Sequence, residues 1–112
     1  MAVNQYRYGR EKERKVAQLL RRKGAHVEFA AASKGAADLV VRFSTGTRWH
    51  IQVKSSRSGA AADPSTKDLG RLKQSATKNN ATAVVAKVTP KGIVYESART
   101  GRKLAPPARK RS

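Results

Sequence analysis

Apolar positions recur at helical spacing from residue 9 to residue 23. Val16, Ala17 and Leu20 lie three, four and seven residues beyond Glu13, and Gly24 stands where a C-terminal cap belongs. The apolar stripe of this helix therefore begins with a carboxylate. Taken alone, Glu13 is a favourable charge near a helix N-terminus, but its face aims it at whatever the helix packs on. Residues 1–8 read as a polar arm. Downstream the period changes to two. Residues 25–30 predict a short strand, the small-residue stretch "AASKGAA" a connection, residues 38–43 a second strand, "STGT" a turn and residues 48–55 a third strand. Ser65 with Asp68 three residues later is a capping-box-like start for a second helix ending near residue 79. Its stripe of Leu69, Leu72 and Ala76 is thin, and Gly70 weakens it, so it needs tertiary or dimer contacts. Residues 81–88 and 93–96 predict two more strands, and from residue 99 no periodicity remains. The order is α-β-β-β-α-β-β: an α/β fold with a mixed sheet flanked by helices, in one domain over residues 1–97 with a basic, disordered tail over 98–112.

Alternation also suggests how the second and third strands pair. A three-residue loop of Thr45, Gly46 and Thr47 sets Leu39 opposite Val53, Val41 opposite Ile51 and Phe43 opposite Trp49, all apolar and on one face. The opposite face then pairs Asp38 with Lys54, Val40 with Gln52 and Arg42 with His50. Asp38, Gln52 and Lys54 converge at one end of the hairpin, while His50 beside Arg42 reads as a surface residue.

Charge changes the picture from a fold to a partner. The 112 residues hold 25 Lys and Arg against 7 Asp and Glu, a net charge of +18. Solubility asks for only about 2 to 8 in a small domain, and the positive residues run from Arg7 to Arg111. The implied partner is a polyanion, nucleic acid above all. No run approaches the roughly 18 apolar residues of a membrane span, and the N-terminus has no signal-peptide hydrophobic segment. The expected location is the cytoplasm, on the nucleoid or in an infected host cell. With no Cys, and with His26 and His50 isolated, disulfides and thiolate metal sites are excluded. Any metal is then a hard cation held by oxygens.

That cation fits the convergent residues. Phosphodiester hydrolysis uses a divalent ion to polarise the phosphate and activate water, and Mg²⁺ takes few protein carboxylates with several waters. A nearby ammonium orients that water or stabilises the developing charge. Asp38, Gln52 and Lys54 on adjacent strands, with Glu13 on a packing helix, supply such a kit, although the spacing D-x13-Q-x-K alone also matches strands with polar residues facing solvent.

Four stretches sharpen the reading. "GREKERKVAQLLRRKGAHV", "ASKGAADLVV", "WHIQVKSS" and "TKDLGRLKQSATKNNATAVVAKV" together resemble, in order and spacing over roughly residues 9 to 88, the archaeal-type Holliday junction resolvases of the PD-(D/E)xK nuclease superfamily. The resemblance implies a restriction-endonuclease-like core and a homodimer that binds four-way DNA junctions by shape and cuts two opposing strands symmetrically with Mg²⁺ or Mn²⁺. It places the helical G-x-x-x-E-R motif on Gly9, Glu13 and Arg14, the Ser before the Asp strand on Ser33, the metal-binding Asp on Asp38, and the E-x-K motif on Gln52, Val53 and Lys54, with Ser55 next. It implies a metal held by Asp38, Gln52, Glu13 and the Val53 backbone carbonyl, with Lys54 assisting the attacking water and Ser33 in the active-site loop. Arg7, Arg10, Arg14, Lys34, Ser55 and Arg57 become its DNA contacts.

Departures accompany the likeness. Gln52 stands where the family usually has Glu, which keeps an oxygen ligand but removes a negative charge. Phe29 and a run of Ala stand where relatives often carry Arg, and the second helix has Ser75 and Asn79 in place of aromatics. Two other readings use the same residues: a related nuclease acting on flaps or replication forks, and a non-catalytic binder in which Gln52 marks a lost site. The thin second helix and the Val84 and Val85 strand add apolar surface that a dimer would cover.

Overall fold

A computed structural model of the chain describes residues 2–30, 37–56 and 64–107, with side chains from Arg10 onward. Helix α1 (Ala2–Arg22) is ended by Gly24, whose φ of +90° only glycine adopts without strain. There the Ala25 N–H reaches back to the Leu20 carbonyl at 3.1 Å, satisfying a group the helix leaves open. Strands β1 (His26–Phe29), β2 (Leu39–Arg42) and β3 (Arg48–Ser55) follow. Helix α2 (Thr66–Lys78) is capped at its start by Ser65, whose Oγ accepts from the Asp68 N–H at 3.1 Å. Strands β4 (Thr82–Thr89), β5 (Gly92–Ser97) and β6 (Lys103–Leu104) complete one six-stranded sheet in the order β1-β2-β3-β4-β5-β6. Only β3 and β4 run parallel, joined by the crossover through α2; the other neighbours are antiparallel.

The two helices cover opposite faces. Val16, Ala17 and Leu20 of α1 are fully buried on Leu39, Val41, Ile51, Val84 and Val88, with Phe43, Trp49 and Tyr95 closing the end of this core. Phe43 meets Trp49 edge to face at 4.9 Å. Leu72 and Ala76 of α2 pack on Ala83 and Val85 from the other side. Strand β4 thus buries both faces, odd and even positions alike, which is why it reads as a continuous apolar run.

The α/β class, the mixed sheet and the flanking helices stand as expected, with corrections of detail. The hairpin register is shifted by two residues: Leu39 faces Ile51 and Val41 faces Trp49. Faces are unchanged, since a shift of two preserves the pleat. The cause is Gly46. In a three-residue loop built on a type I turn, the residue of positive φ is the last of the three. Gly46, at φ +94°, therefore closes a loop of Ser44, Thr45 and Gly46, with the Phe43 N–H on the Thr47 carbonyl at 2.8 Å. Lys54 is accordingly not the partner of Asp38, nor His50 of Arg42, which faces Arg48. The backbone of residues 2–8 is helical rather than an arm. Residues 99–107 are not a bare tail, because β6 pairs Leu104 with Tyr95 and Lys103 with Glu96. Residues 108–112 lie outside the described residues. Val84 and Val85 are covered within the protomer, so they offer no apolar surface to a second copy. No helix of the described residues is long and apolar enough to cross a membrane.

Candidate active site at the β2–β3 end

Asp38 enters β2 on the face opposite the α1 core, and the hairpin holds it by both ends. Its N–H donates to the Ile51 carbonyl at 2.8 Å, and its carboxylate Oδ2 accepts from the Val53 N–H at 2.8 Å. The carboxylate is thereby fixed beside the Gln52-Val53-Lys54 segment. Burial pushes its pKa up; the Val53 N–H and the Lys54 ammonium oppose that shift, and the Asp68 carboxylate adds to it. Glu13, on α1, is raised by burial first and by the charge of Asp38 second, with Arg10 pulling the other way. Two acidic groups from different layers therefore share one electrostatic site.

Gln52 completes it. The side chain is 7% exposed, and its Oε1 is buried without a hydrogen-bond partner among the described residues. Such an acceptor costs roughly 1–3 kcal/mol unless something fills its lone pairs. A buried amide oxygen on the strand segment that holds the Asp38 carboxylate suits a hard cation, which would fill its lone pairs. Among the described residues no three His, Cys, Asp or Glu side chains gather into a metal site.

Other expected residues are distributed unevenly. Lys54 and Ser55 are half-buried at the end of β3, Lys54 acting on Asp38, and Arg10 and Arg14 lie exposed on α1. The side chain of Arg7, and Ser33, Lys34 and Arg57 altogether, fall outside the described residues. Two features escaped the sequence reading. Asp68 acts on Asp38 as well as starting α2; its capping position offered a sufficient explanation and hid the second role. His50 is not a surface residue: it is 5% exposed, its Nδ1 lies 2.8 Å from Ser75 Oγ on α2, and burial lowers its pKa. The signal was its alternation with Gln52, which places both under α2.

The raised carboxyls bear on stability. A carboxyl with a folded-state pKa above its unfolded value keeps protons that the unfolded chain has released. Stability is then lost as pH rises through that interval and stays lowered above it. Glu13→Gln should therefore melt higher than the parent protein in EDTA at pH 7, and the difference should shrink toward about pH 4. Melting curves of both proteins across that range check this; a gain that is constant with pH would remove Glu13 from the buried site.

No protein-family model matches the sequence, and no curated protein does. In fold, the chain is similar to the 1.6 Å structure of Hjc, a Holliday junction resolvase from the archaeal hyperthermophile Archaeoglobus fulgidus. The TM-score is 0.73 at 22% identity, over 82% of this chain and 74% of that one. The chain therefore has the α/β fold of that resolvase.

Proposed function

We propose that the protein is a structure-selective endonuclease that resolves four-way DNA junctions, and that it acts as a homodimer in the cytoplasm. The observation carrying this is Asp38, locked by the Val53 N–H next to the orphaned Oε1 of Gln52, with Lys54 alongside. A pure binder has no use for carboxylates facing phosphate. The resolvase fold, the resemblance of the motifs and the net charge of +18 support the same reading.

In this mechanism Asp38, Glu13, Gln52 Oε1 and the Val53 carbonyl would hold Mg²⁺ or Mn²⁺, which would supply Lewis-acid polarisation of the scissile phosphate and a more acidic water. Lys54 would orient the attacking water and balance the negative charge that accumulates as the water oxygen adds to phosphorus and loses its proton to solvent, while the P–O ester bond breaks and the departing sugar oxygen takes up a proton. Asp38 is kept in place by its hydrogen bond to β3. Arg7, Arg10, Arg14, Lys34, Ser55 and Arg57 are assigned to the DNA strands, with Ser33 near the scissile phosphate. Two equivalent strands call for two sites related by the same two-fold axis.

The test is product mapping on an immobile four-way junction with Mg²⁺ or Mn²⁺, together with light scattering of the complex. Paired nicks at symmetric positions and a dimer are expected. Cleavage confined to flaps or forks would overturn the junction assignment, and binding without cleavage in either metal would leave a non-catalytic binder.

A further inference from the structure

Strands β1, β2 and β3 carry a second polar cluster away from the carboxylates. On the same face as Asp38, the register sets Arg42 opposite Arg48 and places His26 opposite Arg42 and Glu28 opposite Val40. Helix α2 packs on β3 and β4. Between its C-terminal end and the hairpin lies a cleft of about 310 Å³, lined by Arg42, Arg48, His50, His26, Glu28 and Asn79. Four residues of strand separate Arg42 from Asp38, about 13 Å.

The cleft has the chemistry of an anion site. Like charges directly opposite on a sheet destabilise the pair, yet Arg42 faces Arg48, and both are exposed. Neither guanidinium has an ion pair or hydrogen bond among the described residues, whereas Glu28 is engaged by His26 at 3.1 Å. His50 is held by Ser75 through Nδ1, which leaves Nε2 as the ring nitrogen for a ligand. Asn79 Nδ2 donates to the Ser75 carbonyl at 2.8 Å and so fixes the rim. Two planar forks and an imidazole edge match the oxygens of a phosphate, which two arginines bind bidentately. The volume lies at the lower end for small-ligand sites; it holds one phosphate with its sugar, not a duplex.

We propose that this cleft is a docking site for a single backbone phosphate of a DNA strand that continues from the carboxylate site, with Arg42 and Arg48 as its clamp. The assignment rests on the nucleic-acid part of the function proposed above, and none of its groups takes part in hydrolysis. The clamp fixes the path of the strand over the open face of β1 and β2, and the bound phosphate removes the repulsion between the two arginines.

The experiment measures junction binding by fluorescence anisotropy in EDTA, so that cleavage plays no part. Arg42→Ala/Arg48→Ala is expected to weaken binding about tenfold and to flatten the slope of log K against log salt by roughly 0.9 for each lost contact. Arg22→Ala/Arg102→Ala, which removes the same charge from exposed positions elsewhere, should change both less. Glu28→Gln should tighten binding, an outcome that misfolding does not produce. In parallel, inorganic phosphate titrated into the parent protein should shift the NMR signals of His50 and of the Arg42 and Arg48 Nε groups. Unchanged affinity and slope in the double variant, with a junction-binding parent, overturn the clamp and leave the nuclease reading standing. Phosphate-induced shifts with DNA binding unaffected mean that the cleft takes free phosphate, which also overturns the strand assignment. A parent protein that binds no DNA overturns the function itself, and does so before any variant is compared.

Discussion

Asp38→Asn is expected to abolish strand cleavage while junction binding survives or tightens. The amide oxygen of Asn can still accept from the Val53 N–H, so the end of the hairpin keeps its geometry. What disappears is the carboxylate charge that, in the proposed mechanism, draws the cation and neutralises part of it. Losing one preorganised charge or dipole of this kind costs about 10²–10³ in rate, and a metal-held site with only two carboxylates should sit at or beyond the upper end. Affinity has a different origin, in many Lys and Arg contacts and counterion release. Removing an anion next to the DNA lowers repulsion, so binding has no reason to fall. Gel-shift and nicking assays on one junction, with circular dichroism to confirm folding, compare the two. Equal loss of binding and cleavage in a folded protein would take Asp38 out of the metal site.

Gln52→Glu should have opposite effects with and without the metal. Without metal it places a third carboxylate in a site where Asp38 and Glu13 are already raised by burial, at a position only 7% exposed. Leaving a buried charge uncompensated costs about 3–5 kcal/mol, so the metal-free variant should melt well below the parent. With Mg²⁺ the added anionic oxygen binds the ion, and the metal needed for half-maximal activity should fall by about ten- to a hundredfold, at least the scale of changes around a metal's ligands. The stabilisation by Mg²⁺ in a melting experiment is then larger for the variant than for the parent. A variant that melts higher without metal, or one that Mg²⁺ stabilises no better than it does the parent, assigns Gln52 a role other than ligation.

Most of this site could be read from the chain because it depends on parity. Asp38, Gln52 and Lys54 fall on one face whichever even shift the hairpin takes, so an error of two in the register did not scatter them. The register itself depended on where in the loop Gly46 sits, and only turn geometry decides that. Glu13 was legible from its place at the head of an apolar stripe. His50 and Asp68 were not, for a common reason. Each already had an adequate local explanation, an exposed strand position for one and a helix cap for the other, and their second partners come from elements distant in sequence. Strand β6 was invisible because two residues carry no period. The pairing of Arg42 with Arg48 also follows from the register, so the proposed clamp could not be inferred before it.

The sheet order has a kinetic consequence. Every strand lies beside its neighbour in sequence, and all but one of those contacts are antiparallel. Short-range pairing closes small loops first, and the entropy of closure rises only slowly with loop length. The strands from β1 to β3 can therefore zip together as they leave the ribosome, and β4 to β6 can do so separately. Joining the two halves waits for α2 to form and carry β4 across. Gln52 pairs in register with Val85 of β4, so its side chain reaches its buried position only at that step. The cost of burying it thus falls late, after the barrier that local pairing sets, and acts on how fast the protein opens more than on how fast it folds.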